Sequence, residues 1–141
     1  MSSVLESLQT YIKTYTSLAA GAPVWAEFLG NLPTEYSIVP LPGQKTIATY
    51  LDDSTLEGFP FAIESTVSVA DDITRIENNS FYEHFARWLK QQNDAGNFPT
   101  LATGQQPESI EAVSQGFLIE RTPSQTGIYH LICLLTYTQT P

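Results

Sequence analysis

GIYHLICLLTYTQT, residues 127–140, is rich in aliphatic, aromatic and β-branched side chains, which favour a β-strand. Apolar residues occupy both sides of the segment from Leu131 to Leu135. A strand that is apolar on both faces is typical of the interior of a sheet. The stretch therefore predicts a buried central strand around which the other elements pack.

Further strands are predicted on either side of a long helix. ESIEAVSQGFLIERT (108–122) is interpreted as one strand that PSQTG joins to the central one. Upstream strands are predicted for VWAEFL (24–29), EYSIVPLP (35–42), IATYL (47–51) and FPFAIESTVSV (59–69). Pro40 and Pro42 remove two ladder donors, so EYSIVPLP is expected at a sheet edge or curling away from it. The last strand alternates, with one face formed by Phe59, Phe61, Ile63, Ser65, Val67 and Val69.

Two amphipathic helices are predicted. The first runs from Ser3 to about Leu18, with apolar residues at helical spacing and Gly21 and Pro23 as stop signals. The second lies within NNSFYEHFARWLKQQNDAGNFP (78–99), where Ser80 and Glu83 form a capping box. Gly96 or Asn97 ends it before Pro99. Its apolar stripe consists of Phe81, Tyr82, Phe85, Ala86, Trp88 and Leu89.

The order of these elements indicates an α+β fold. We expect a single mixed, mostly antiparallel sheet with two main helices packed on one face. At 141 residues the chain is long enough for one domain with its own core, and residues 1–141 are interpreted as that domain.

Composition and charge exclude several classes of function. The net charge is −9, with only 6 Lys and Arg, which are scattered, so direct nucleic-acid binding is not expected. The single cysteine, Cys133, is expected to be inert packing, in keeping with a reducing compartment. No stretch is long and apolar enough for a membrane span, and no secretion signal is visible, so we expect a soluble cytosolic product with no membrane partner.

The titratable residues do not form a recognisable catalytic or metal-binding motif. On the second helix, Glu83, His84 and Arg87 lie opposite the apolar stripe and are interpreted as solvated surface. His130 is interpreted as a partly buried histidine of the sheet, with Cys133 on the opposite face. With two histidines and one cysteine no zinc motif can be written, and no cofactor or metal is expected. The sequence thus favours a protein that is not an enzyme.

Acidic residues gather in DDSTLEG (52–58), which is interpreted as a solvated loop. Its spacing does not match a calcium-binding loop. Lys45 is predicted at a hairpin tip in PLPGQKT, which lacks the glycines of a phosphate-binding loop. Because charged tips can fix the register between subunits, Lys45, Asp52, Asp53 and Glu57 are the candidate interface residues.

Between Glu35 and Tyr137 the chain resembles small tail proteins of siphophages and prophages of Gram-positive bacteria, which are labelled minor capsid or tail-terminator-like. Three groups of residues carry the resemblance: Tyr36-Ser37-Ile38 with Pro40 and Pro42; Phe81-Tyr82-Glu83 with Phe85, Trp88 and Leu89; and Ser109-Ile110-Glu111-Ala112 with Gly116. The resemblance implies a virion structural protein that closes into a ring, often of six subunits, capping the tail tube and docking to the head.

The partners that the resemblance implies are other copies of the chain, the tail tube protein and the head–tail connector proteins. Ring closure needs heterologous interfaces. Loops at residues 43–46, 52–58 and 97–107 could provide them. The alternatives are a head-completion (connector) or minor capsid component, and a small-molecule binding module. In the latter, Trp25, Tyr50, Phe59 and Phe61 would line a pocket. A deep hollow where His130 or His84 meets a carboxylate would contradict the non-enzymatic interpretation.

Overall fold

The computed structural model describes residues 4–15, 24–26, 35–42, 46–68, 72–121 and 126–141. Lys45, Thr122 and residues 123–125 of the expected turn PSQTG lie outside these ranges, as do Gly21, Pro23 and the end of the predicted strand VWAEFL. The elements are, in order, α1 (Val4–Ile12), β1 (Val24–Ala26), β2 (Glu35–Pro40), β3 (Thr46–Thr49), β4 (Thr55–Ser68), α2 (Asp72–Ala95), β5 (Gln105–Ala112), β6 (Phe117–Arg121) and β7 (Thr126–Gln139).

Two 14-residue strands, β4 and β7, form the centre of the sheet. They pair antiparallel along their whole length, from Thr55 opposite Gln139 to Ser68 opposite Thr126. β2 and β3 follow one another along the outer side of β4, and β5 and β6 along the outer side of β7. β1 pairs with β2 in parallel. Within the described residues this is one mixed, mostly antiparallel sheet of seven strands, so the predicted α+β class and the central position of β7 are confirmed.

The core lies where alternate residues of the two central strands meet both helices. In β7 the odd positions from Tyr129 to Tyr137 are buried and the even positions are half-buried. Phe61 and Ile63 of β4 belong to the same buried cluster, together with residues of α1 and α2. Both helices thus contribute to this cluster. That both pack on the same face of the sheet stays a prediction.

Aromatic rings form the seam between the helices. Tyr15 meets Phe85 edge to face at 5.2 Å between ring centroids, and Tyr11 lies 5.4 Å from Trp88. Tyr36 of β2 stacks on Phe81 at 5.6 Å. Such pairs add about 0.5–1.5 kcal/mol each beyond the area that they bury. The aromatic stripe predicted on the second helix is therefore core, as the sequence indicated.

Both helices differ from their predicted limits. α1 ends at Ile12, because the next amides turn more tightly: Thr14 N donates to Tyr11 O and Tyr15 N to Ile12 O. α2 begins at Asp72, so Ser80 lies inside the helix and the predicted capping box is wrong. DITRIENN (72–79), which lies before the predicted cap, is its first part. The sequence signal was misleading because Ser and Glu three apart also occur inside helices.

The carboxyl end of α2 is where the sequence placed it. Gly96 has φ +75°, Asn97 N donates to Gln92 O at 2.9 Å, and Gly96 N donates to Asn93 O at 3.2 Å. These two hydrogen bonds and the left-handed glycine form a Schellman motif, which satisfies carbonyls that the helix leaves open. Pro99 follows in the next segment and is buried.

Three strand predictions need correction. EYSIVPLP is not at an edge: β2 lies between β1 and β4, and Pro40 is tolerated because β1 pairs only as far as Ile38. ESIEAVSQGFLIERT is two strands, with a break at residues 113–116. The loop predicted at residues 52–58 ends at Ser54, since Thr55 begins β4.

Candidate interface at the β3–β4 hairpin

A tight turn joins β3 to β4. Tyr50 N donates to Ser54 O at 2.8 Å, and Asp53 N donates back to Tyr50 O at 3.0 Å. Asp53 has φ +69°, a left-handed conformation that aspartate tolerates better than most residues. The turn is thus closed by its own backbone and holds a fixed shape.

Asp52 uses its carboxylate inside the turn. Its Oδ1 accepts hydrogen bonds from Ser54 N at 3.0 Å and from Ser54 Oγ. These bonds favour the charged form, so the pKa of Asp52 is held below its ordinary value. Both predicted acidic interface residues of the turn are exposed. The Asp52 carboxylate also stabilises the turn through its hydrogen bonds with Ser54.

Large apolar side chains are exposed on the same hairpin. Leu51 is fully exposed, and Ile47 and Tyr50 are each 46% exposed. We call these three residues the hairpin tip. Ile47 lies in the register shift between Thr46 and Ala48, so it has no partner position on β4. Large apolar side chains exposed on one hairpin cost solvation free energy in an isolated molecule, and exposed apolar patches are typical of contact surfaces.

Glu57 lies on β4 and is only 7% exposed, unlike the solvated loop residue that was expected. Its carboxylate accepts from Thr46 Oγ1 at 3.0 Å and from Thr55 Oγ1 at 2.9 Å, which attaches β3 to β4. Burial, and then the Glu57 charge opposite it, raise the pKa of Tyr137. Glu57 therefore supports the hairpin from within, and its predicted place in an interface stays a prediction, as does that of Lys45.

His130 does meet a carboxylate. Glu64 lies directly opposite it on β4, and Glu64 Oε1 is 3.2 Å from His130 Nδ1, with side chains 17% and 13% exposed. This pair is not predictable from local sequence, because the two residues are brought together only by the register of strands that are distant in the chain. Neither residue lines any of the three cavities described below.

The other titratable candidates lie where the sequence placed them. Glu83, His84 and Arg87 are exposed on α2. Cys133 is buried on the face of β7 opposite His130, and burial raises the pKa of its thiol. Among the described residues no three His, Cys, Asp or Glu side chains come together as a metal site.

The aromatics proposed for a ligand pocket do not surround one cavity. Phe61 is fully buried in the core, Phe59 packs against the core and Tyr50 is at the hairpin tip. The side chain of Trp25 lies outside the described residues. Three cavities of the described residues lie elsewhere: one of about 430 Å³ between α1 and residues 98–100, and two of about 350 and 280 Å³ between α2 and the β5 region.

The hairpin, an exposed apolar and acidic turn fixed to a rigid sheet, is thus the feature that most clearly calls for a binding partner. No helix in the described part of the chain is long and apolar enough to cross a membrane. No protein-family model matches the chain, and no curated protein matches it. The fold and the hairpin define a class no narrower than an α+β protein with an exposed apolar and acidic turn.

Proposed function

We propose that this chain is a structural protein of a tailed bacteriophage or prophage, a tail terminator or tail-completion protein without catalytic activity. Copies of it form a ring that caps the tail tube and joins it to the head, in the virion, after synthesis in the bacterial host cytoplasm. The resemblance of residues between Glu35 and Tyr137 to such tail proteins motivates the proposal.

The hairpin tip is the observation that supports it most. A ring component must present rigid contact elements to its neighbours, and Ile47, Tyr50 and Leu51 are exposed on a turn that its own hydrogen bonds hold. An apolar anchor on a preorganised element loses little conformational entropy on binding. The charge of −9 fits a conduit that does not retain DNA.

The test is the mass of the purified protein in solution, measured by light scattering alone and with the cognate tail tube protein. We expect a discrete closed oligomer, or its appearance when tubes are added, with rings at tube ends in electron micrographs. A protein that stays monomeric in both samples and leaves tube length unregulated would refute the proposal.

A head-completion or minor capsid role is the alternative within the virion. The position of the gene separates the two, because a tail terminator is expected to have the major tail protein encoded immediately downstream. The small-molecule binding module loses support, because Phe61 is core and Tyr50 lies at the tip.

A further inference from the structure

Exposed large apolar residues of the described chain occur in two places. Ile47, Tyr50 and Leu51 form the hairpin tip, and Val113, 53% exposed, lies in the break between β5 and β6. Val113 is flanked by Ala112 and Ser114, which line the cavity of about 350 Å³. Apolar exposure is thus found both on a protrusion and beside a depression.

The depression is a groove between α2 and the end of β5. The cavities of about 350 and 280 Å³ share Ala86 of α2 and Ala112 of β5, so they lie next to each other. We call the space that they form the α2–β5 groove. Small residues lie along it, which leaves room for a large side chain from outside.

The groove has a fixed base. Asn93 Oδ1 of α2 accepts from Ile110 N of β5 at 3.0 Å, and Ile110 itself is fully buried. At the other end, Gly116 lies so close to α2 that an added Cβ would be 2.5 Å from Cβ of Tyr82. Helix and strand are therefore held at a set separation, and the groove exists before any partner arrives.

The tip and the groove lie at opposite edges of the sheet. β3 lies on the outer side of β4 and β5 on the outer side of β7, so β3 is three strand spacings, roughly 14 Å, from β5, and the turn at the end of β3 is two to three spacings from it. One chain cannot place its tip in its own groove, whereas a second copy shifted sideways can. A protrusion and a depression at opposite edges are the elements of a heterologous contact.

The charges agree with this arrangement. The tip is next to Asp52 and Asp53, while the groove is lined by Arg87 and Lys90, two of the six basic residues of the chain. Glu83 and Glu111 also line it, so the groove is formally neutral on a molecule that carries −9. An acidic turn is therefore repelled less there than over most of the molecule.

We propose that the hairpin tip of one copy, led by Leu51, docks into the α2–β5 groove of the next copy, with Asp53 facing Arg87. Leu51 is the apolar anchor, and the charge pair fixes the register. The proposal rests on the proposed function, because it names the contact by which copies would form the ring, and it can fail while self-association stands.

Site-directed crosslinking tests the contact. Leu51→Cys and Gln115→Cys, an exposed position that lines the groove, are purified separately, mixed and treated with a short bismaleimide. We expect a crosslinked dimer from the mixture and neither variant crosslinked alone. The protein with both substitutions should give a ladder of higher oligomers. The native Cys133 is buried and should not react.

The matched control replaces Gln115→Cys by Thr103→Cys. Thr103 is exposed, precedes β5 in the chain and does not line the groove. No crosslink is expected between Leu51→Cys and Thr103→Cys. Equal yields from both mixtures, or crosslinking of Leu51→Cys with itself, would overturn the proposal in favour of random encounter or a symmetric contact.

Charge exchange gives a second readout. Asp53→Lys and Arg87→Glu should each weaken self-association about tenfold, and the two together should recover most of it. Both side chains are exposed, so the fold is expected to survive, which thermal melting checks. No recovery in the double variant would contradict the proposed facing of Asp53 and Arg87.

The two proposals fail differently. If light scattering shows oligomers but the Leu51→Cys and Gln115→Cys mixture does not crosslink, the contact is wrong and ring formation stands. If the mixture crosslinks but the protein never associates with tubes, the contact is right and the tail role is wrong. If neither oligomers nor crosslinks are observed, the tip–groove contact is rejected.

Discussion

At the scale of single residues, Gly116 shows how closely the break between β5 and β6 approaches α2. A side chain there would collide with Cβ of Tyr82, an atom that cannot move without the helix backbone. Tyr82 is itself fixed, since its hydroxyl is hydrogen-bonded to Ser65 Oγ and its ring stacks on Tyr129 at 5.8 Å. The close contact at Gly116, which has no side chain, therefore links the break between β5 and β6 to α2, and Tyr82 links α2 to β7.

Gly116→Ala should lower the free energy of unfolding by about 1–3 kcal/mol, because overpacking forces the backbone to shift. Urea denaturation measures it. Gly96→Ala is the control, since the added methyl there meets nothing within 4 Å and only the left-handed φ is strained. Gly96→Asn should recover part of that smaller loss. An unchanged stability in Gly116→Ala would show that the contact with Tyr82 relaxes freely.

The buried tyrosines make stability depend on alkaline pH. Burial raises the pKa of Tyr11 to about 12 from its ordinary value near 10, and it also raises the pKa of Tyr82 and Tyr137. Above pH 10 the unfolded chain releases these protons before the folded one does. The contribution of these tyrosines to the free energy of unfolding should therefore be constant below pH 10 and fall as the pH rises from about 10 towards 12.

Tyr11→Phe isolates one part of this effect. It removes the hydrogen bond from Tyr11 Oη to Asn97 O, 2.8 Å, which should cost about 1 kcal/mol at pH 7. It should also make the decline above pH 10 shallower. Denaturation curves at pH 7 and pH 11 for both proteins provide the comparison. An equal decline in the two would mean that Tyr11 ionises alike in both states.

At the scale of elements, α2 and the edge of β5 are joined by the Asn93 side chain. Its Oδ1 accepts from Ile110 N, an amide that points away from β7 and would otherwise have no acceptor at this edge. Side chains that satisfy an outward amide in this way attach a helix to a sheet edge. The α2–β5 groove depends on the attachment.

Asn93→Leu should destabilise the fold by about 1–3 kcal/mol, since it leaves the Ile110 amide unsatisfied. Asn93→Asp keeps an acceptor and should cost less. Asp94→Leu, the neighbouring substitution, removes only the exposed ion pair with Lys90 at 3.2 Å and should change stability by less than about 1 kcal/mol. Thermal melting ranks the three. A similar loss in Asn93→Leu and Asp94→Leu would show that the hydrogen bond does not matter.

Sequence patterns predicted those elements whose signals are local. The alternation in β4, the apolar run of β7 and the stop at Gly96 all depend on side chains within one element, and each was located. The start of α2 was missed because its first residues are polar and a false capping signal follows at Ser80. The break before Phe117 was missed because the sequence SQG alone does not show that the backbone at Gly116 lies close against Tyr82.

The candidate site was predicted only in part. The acidic turn at Asp52 and Asp53 is visible in the sequence, because Asp, Asp and Ser together favour turns. The exposure of Leu51 is not, since an apolar residue at the end of a predicted strand is ordinarily buried. The pairing of Glu64 with His130 and the groove beside Ala86 depend on register and on helix placement, which one sequence does not specify.

At the scale of the whole molecule, the charge predicts that this protein does not bind nucleic acid. The net charge is −9 and only 6 residues are basic, whereas phosphate binding relies on clustered cations. We expect no measurable affinity for duplex DNA at physiological salt, and none that appears on lowering the salt. Fluorescence anisotropy with a labelled duplex is the measurement. Binding that weakens steeply with added salt would contradict both the expectation and the proposed conduit.

The short and irregular edge strands affect how readily the free protein aggregates. Every strand at a border of the described sheet is short or irregular: β1 has 3 residues, β3 has 4, and the pairings of β3, β5 and β6 each contain a register shift. A strand of another molecule cannot pair regularly with such edge strands. The irregular edges therefore oppose the edge-to-edge aggregation to which long, regular edge strands are prone. The free protein can then reach a high concentration in a cell without aggregating through strand pairing between molecules.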